Sequence, residues 1–296
     1  MKLPKGGVAF FDSGIGGLTT LVACLNVLDG EQIYYYGDNA HAPYGNLSPK
    51  KIRRYVLRAF KKFRRLQVKA AVIACNTVTA VCVEELRRKF SFPIVGIEPA
   101  VNSAAAVGGK VYVLATRATC ESERFHRLLK RTKQRYPMSE LIAIPCDGLA
   151  GEIEKKLTTN TFSIERFLPQ GTPSAVVLGC THYIYCKEKI ARFYGCDVYD
   201  GNDGVAKRLQ ALLRAKEWAL CPKILKNRDG RPLSKKSKRF LDKKSTKTPK
   251  NQRVSKNENT IKCSCIFFLG SGKKVNKKVF EQTFGFNFGQ KNEEIR

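Results

Sequence analysis

The stretch AVVLGCTHYIY (Ala175–Tyr185) runs apolar for four residues, stops at a glycine, and then sets Cys180, Thr181 and His182 in succession. AVIACNTVTA (Ala71–Ala80) has the same grammar earlier in the chain, with Cys75 where the apolar run ends. A short apolar run closed by a small residue is what a strand buried on both faces looks like, and such strands belong to parallel sheets. Outward from Cys75, strands are expected at Gly7–Phe11, Ile33–Tyr36, Ala71–Ala74 and Ile94–Ile97. Helices are expected over Pro49–Gln67 and from Thr77 to Phe90. The pattern then restarts, with strands at Lys110–Leu114, Glu140–Ile144, Ser174–Gly179 and Val198–Tyr199 and helices at Leu149–Leu157 and Asp203–Leu220. A returning strand, Cys265–Leu269, and a last helix, Val275–Phe284, close the series.

The restart is measurable. Asp12, just past the first strand, lies 63 residues before Cys75, and Thr116, just past the first strand of the second series, lies 64 before Cys180. Matched spacing, strand type and chemistry point to a duplicated α/β unit. The expected fold is therefore α/β, two pseudo-symmetric domains with mainly parallel open sheets and a site in the cleft between them. The first domain takes residues 1–97 plus 205–296 and the second takes 98–204. Ligands in such sheets bind outside the carboxyl ends of the strands, where Asp12, Cys75, Thr116 and Cys180 all fall.

The 296 residues can bury a sizeable core, and no apolar run is long enough to span a membrane. The start, MKLPKGGVAFFDSG, is too polar and short for a secretory signal, so a cytoplasmic protein is expected. The eleven cysteines are scattered through apolar segments, which favours reduced thiols over a disulfide framework. Cys24, Cys82, Cys120, Cys146, Cys186, Cys196 and Cys221 are expected to be packing residues. The net charge of +29 is unevenly placed: from Cys221 onward 21 Lys and Arg face 6 Asp and Glu. Lys226–Lys262 reads as a flexible basic insertion, either a solvated linker with no dedicated partner or an electrostatic contact for nucleic acid or an anionic membrane surface.

Two facing thiols can form a disulfide, bind metal, act as nucleophile and helper, or move a proton from opposite sides of a ligand. Neither cysteine sits in a CxxC, which disfavours metal and redox roles. Cys180 paired with His182 as a nucleophile leaves Cys75 unexplained. Inverting a stereocentre needs an acid/base group on each side, and explains both thiols together. Each thiol requires a downward pKa shift to act near neutrality, expected in part from a helix N-terminus after each cysteine.

The motifs FDSGIGGLTTL (Phe11–Leu21), YYGDNAHAPYGNLSP (Tyr35–Pro49), ACNTVTA, VGIEPAV (Val95–Val101), ATRAT (Ala115–Thr119) and LGCTHY (Leu178–Tyr183) occur in this order. Together they resemble the aspartate/glutamate racemase superfamily, and within it the glutamate racemases. The resemblance implies proton transfer between L- and D-glutamate without pyridoxal phosphate, another cofactor or a metal, providing D-glutamate for peptidoglycan. An aspartate or other amino-acid racemase of the superfamily is the nearest alternative. It implies Cys75 and Cys180 as the acid/base thiols, with Asp12 and His182 assisting. Ser13, Pro43, Tyr44, Gly45, Asn76, Thr77, Thr116, Thr119 and Thr181 are implied to hold the substrate. Glu154 is matched only loosely and reads equally as an exposed helix acid. A homodimer is expected. Three positions depart from the pattern: His41 stands where Arg is common, and Asp147 and Ile184 where Pro is.

Overall fold

The computed structural model describes residues 6–28, 30–157, 163–215 and 265–284. The basic stretch 226–262 and Cys221 lie outside the described residues. Strand β1 (Val8–Asp12) is buried at every position and pairs in parallel with β2 (Gln32–Gly37) and β3 (Ala70–Ile73). β4 (Ile94–Gly96) continues beyond β3. The second sheet is built from β5 (Gly109–Ala115), β6 (Ser139–Pro145), β7 (Ala175–Gly179) and β8 (Asp197–Tyr199), again all parallel. The strand orders are β4-β3-β1-β2 and β8-β7-β5-β6, the same path walked twice, so β3 and β7 are equivalent strands. That equivalence is the physical content of the matched 63- and 64-residue spacings. The last strand, β9 (Cys265–Leu269), adds to the β2 edge of the first sheet.

Helices cover the sheets as alternating strand–helix sequence requires. α1 (Leu18–Cys24), α2 (Pro49–Arg65), α3 (Asn76–Lys89) and α4 (Val101–Ala105) come from the first series. α5 (Arg117–Cys120), α6 (Glu123–Arg135), α7 (Leu149–Lys156), α8 (Lys187–Tyr194) and α9 (Asn202–Arg214) come from the second, and α10 (Lys273–Phe284) follows β9. α9 packs on α1 and thus against the first sheet, where Val205, Leu209 and Leu212 join its core. Among the described residues no helix is long and apolar enough to cross a membrane.

α2 starts at Pro49, whose ring fixes the first helical φ at no hydrogen-bonding cost. Its apolar positions bury Ile52, Val56, Ala59, Phe60 and Phe63 against the first sheet. Phe60 is the hub: its ring lies 5.2–6.2 Å from those of Phe11, Phe63, Phe90 and Phe92. Phe60→Ala leaves a cavity amid four rings and is expected to lower unfolding free energy by about 3–5 kcal/mol in urea titration. A loss below about 1 kcal/mol contradicts this packing account. Cys24, Cys82, Cys146 and Cys186 are buried core members, while Cys120 and Cys196 are half-buried beside the core.

Candidate active site

Cys75 and Cys180 follow the equivalent strands β3 and β7 at their carboxyl ends. Both are buried, and they lie close enough for the charge of Cys180 to raise the pKa of Cys75. The first loop of the chain binds the two lobes together. Asp12 ends β1 fully buried, its Oδ1 accepting from the Gly14 N–H at 2.9 Å and its Oδ2 from Thr181 Oγ1 at 3.3 Å. Tyr35 and Tyr185 donate their hydroxyls to the carbonyls of Gly14 and Ile15, at 2.8 and 3.0 Å, so the loop is pinned from both sides. The glycines are required by the close approach of the other lobe. A Cβ on Gly14 would stand 2.5 Å from Glu154 Oε2, and one on Gly16 would stand 2.4 Å from Thr181 Oγ1.

Glu154 reaches the candidate site. α7 turns it inward, where Oε2 lies 2.5 Å from His182 Nε2 and accepts from the Ile15 N–H at 3.2 Å, while Oε1 accepts from Asn39 Nδ2 at 2.6 Å. Nδ1 of His182 lies 3.9 Å from Cys180 Sγ. Burial works against a charged His182, but its contacts with Cys180 and Glu154 outweigh it and hold its pKa well above the ordinary value. Burial raises the Asp12 carboxyl, while His182 and the amides of Gly14 and Gly17 pull it back only in part.

On the other side Cys75 Sγ sits 3.7 Å from Ser13 Oγ. Here two expectations need correction. Burial, reinforced by the charge of Asp12, pushes the Cys75 thiol up rather than down; the amide of Val78 and the Ser13 hydroxyl oppose it without prevailing. And only Cys75 directly precedes an α-helix. Cys180 leads into a 3₁₀ segment, Thr181–Cys186, before α8 begins at Lys187, so the two thiols do not share one kind of helix N-terminus.

Three hydroxyls form a cluster between the lobes, with Thr77 Oγ1 2.9 Å from Thr116 Oγ1 and Thr116 Oγ1 3.0 Å from Thr119 Oγ1. Gly45 lies against Thr116, where a Cβ would come within 2.9 Å of the threonine side chain. Pro43 precedes that turn, half-buried, and Tyr44 is buried with its hydroxyl donated to Asp38 Oδ2 at 2.6 Å. Asn76 is buried at the start of α3, and its Oδ1 has no hydrogen-bond partner.

The structure adds Asp38, Asn39 and Asn276 to the residues named from sequence. Asp38 also meets His41 Nδ1 at 2.9 Å and accepts from Ser271 Oγ at 3.1 Å. Asn39 accepts from Asn276 Nδ2 at 3.0 Å, which links the C-terminal helix α10 to Glu154. The three departures are accommodated locally. His41 stacks on Tyr55, Asp147 pairs with Arg117, and Ile184 packs half-buried against the core of the second lobe. A cavity of about 850 Å³ lies to the side, between α3 and the α5–α6 segment, and reaches Gly45 but neither thiol.

The model of the Asp/Glu/hydantoin racemase family matches residues 19–209. The glutamate racemase of Clostridium novyi is 36% identical over 224 residues, which cover 72% of this chain and 85% of the relative. Among solved structures, Escherichia coli glutamate racemase in complex with L-glutamate and the activator UDP-MurNAc-Ala aligns with a TM-score of 0.64 and 31% identity. That alignment covers 72% of this chain and 83% of the other. The Francisella tularensis enzyme in complex with D-glutamate aligns with a TM-score of 0.58 and 29% identity, over 73% and 84% of the two chains. Equivalent strands that each end in a buried thiol, the loops that join them, and these matches together place the chain in the Asp/Glu/hydantoin racemase family.

Proposed function

We propose that this chain interconverts L- and D-glutamate, one of Cys75 and Cys180 removing the α-proton while the other protonates the opposite face, and so supplies D-glutamate for peptidoglycan. The observation that carries the reading is the pair of buried thiols at the ends of equivalent strands, close enough for their charges to interact. One thiolate takes the α-proton and becomes a thiol; the opposite thiol gives its proton to the other face and becomes a thiolate. The net change is inversion at the α-carbon, and the next turnover runs in reverse.

The surroundings suit an amino acid. The unpartnered Oδ1 of Asn76 is a ready acceptor for the α-ammonium group. The α3 N-terminus and the Thr77, Thr116 and Thr119 hydroxyls offer donors for a carboxylate, and such donors also stabilise negative charge as the α-proton leaves. An ammonium near Cys75 offsets what burial and Asp12 do to that thiol, which couples thiolate formation to substrate binding. On the other side His182, whose pKa is raised by Cys180 and Glu154 against burial, stands with Nδ1 3.9 Å from the Cys180 sulfur.

The test is α-proton exchange in D₂O with each enantiomer of glutamate and aspartate. Both glutamates are expected to converge on the racemic mixture with deuterium in the inverted product. Aspartate is expected to react at least about 100-fold more slowly. Equal turnover of aspartate overturns the glutamate assignment, and no exchange with any of the four overturns the reaction.

A further inference from the structure

Helix α2, PKKIRRYVLRAFKKFRR, carries nine cations in 17 residues and no acid. All but Lys62 are exposed, and six of the exposed ones, Lys50, Lys51, Arg54, Arg58, Lys61 and Arg65, share one face. At 3.6 residues per turn they fall within about 100° of arc, opposite the buried stripe of Ile52, Val56 and Phe63. Among the described residues none of the six reaches a carboxylate; the one cation of the helix with an ion pair is Arg53, which meets Glu85 on α3.

This face works against the stability of its own helix. Lys50, Arg54 and Arg58 are spaced i, i+4, as are Lys61 and Arg65, and like charges at that spacing repel. Lys50 and Lys51 occupy the first turn, where the helix dipole disfavours cations and where α2 has no acidic residue. Burial lowers the pKa of Lys62, and Lys273 at the start of α10 adds its positive charge to that effect. α3 shows the self-stabilising alternative, with Glu84 and Glu85 paired to Arg87 and Lys89. A row of cations that repel one another is relieved by an external polyanion.

The chemistry of the face selects the partner. The exposed large apolar residues among those described are Val107, Met138, Phe193 and Val275, none of them on α2. A helix that lies in a bilayer surface turns its apolar side outward, whereas α2 buries that side in the first sheet. A second copy of the same face is repelled. The helix is about 25 Å long, enough to run beside several successive phosphates of one strand of B-form DNA. Arginine forks match phosphate geometry, and nothing on the row is shaped to read bases.

We propose that the outward face of α2 is a sequence-independent docking surface for the phosphate backbone of double-stranded DNA. Docking and racemisation use separate surfaces, so either can fail without the other. The test titrates the full chain into two fluorescent 30-base-pair duplexes of unrelated sequence, from 50 to 300 mM salt. Both are expected to bind equally, with log K falling linearly in log salt. The variant K51Q/R54Q/R58Q/K61Q is expected to bind at least tenfold more weakly at 50 mM salt, with a slope shallower by about 3–4. Unchanged racemisation and an unchanged melting temperature in this variant show that it is folded. An unchanged slope, no duplex binding by the parent chain at 50 mM salt, or capture by phosphatidylglycerol vesicles in place of the duplex each overturns the proposal.

Discussion

Cys75→Ser and Cys180→Ser are each expected to reduce racemisation by about 10³-fold or more, with little change in melting temperature. Serine keeps the shape of cysteine but cannot act as a base near neutrality, so the effect isolates proton transfer from packing. Each variant keeps one functional thiol on one side of the substrate. Residual α-proton exchange is therefore expected with one enantiomer in Cys75→Ser and with the opposite one in Cys180→Ser. Polarimetry measures the loss and NMR in D₂O the enantiomer preference. Full activity in either variant, or equal residual exchange with both enantiomers in both variants, contradicts a two-thiol mechanism. The same logic covers thiol reactivity. Since burial and Asp12 raise the Cys75 pKa, iodoacetamide labelling of Cys75 in glutamate-free enzyme is expected to be slow at pH 8.

The second large effect belongs to Glu154. Glu154→Gln keeps the size and the contact with Asn39 but removes the carboxylate that, together with Cys180, raises the His182 pKa. Turnover is expected to fall about 10²-fold, with KM less affected, because the contacts of Glu154 run to His182, Ile15 and Asn39. Stability follows with a definite sign. The His182 pKa is raised by folding, so its contribution is fully present below the unfolded value of about 6.5 and fades as pH rises through the folded value. The parent chain should therefore exceed Glu154→Gln in unfolding free energy by most near pH 6, and the gap should narrow on the alkaline side. Urea titrations at pH 6 and pH 9 measure it; a gap that widens with pH rules out the charged pair. An unchanged turnover rules out the positioning role.

What the sequence made legible followed periodicity and repetition. The apolar runs before Cys75 and Cys180 predicted strands because a fully buried strand has no polar face to interrupt the run, and the spacing exposed the duplication. Strand order was not legible, since β5 could pair with any neighbour and only packing selects β6 and β7. Asp38 and Asn39 lie inside a quoted motif, yet a lone Asp-Asn in a turn-rich loop signals only a turn. Their contacts appear once Tyr44 and Glu154 come to rest beside them. The inward turn of Glu154 is likewise a product of how the lobes meet; helix periodicity alone leaves it open. Asn276 lies 237 residues from its partner Asn39, beyond any local signal. The thiol pKa was misjudged for a related reason. A helix N-terminus is visible in sequence, but the depth of burial that outweighs it is not.

β9 and α10 have a consequence for how the protein is made. Both thiols, His182 and Glu154 leave the ribosome before Cys265, and so does Asn39, the residue that holds Glu154. A nascent chain halted short of β9 has both thiols, His182 and Glu154 in hand, but the edge of β2 is uncapped and Asn39 lacks the brace from Asn276. Translation thus delivers these four residues first, and last the strand and helix that cap β2 and brace Asn39.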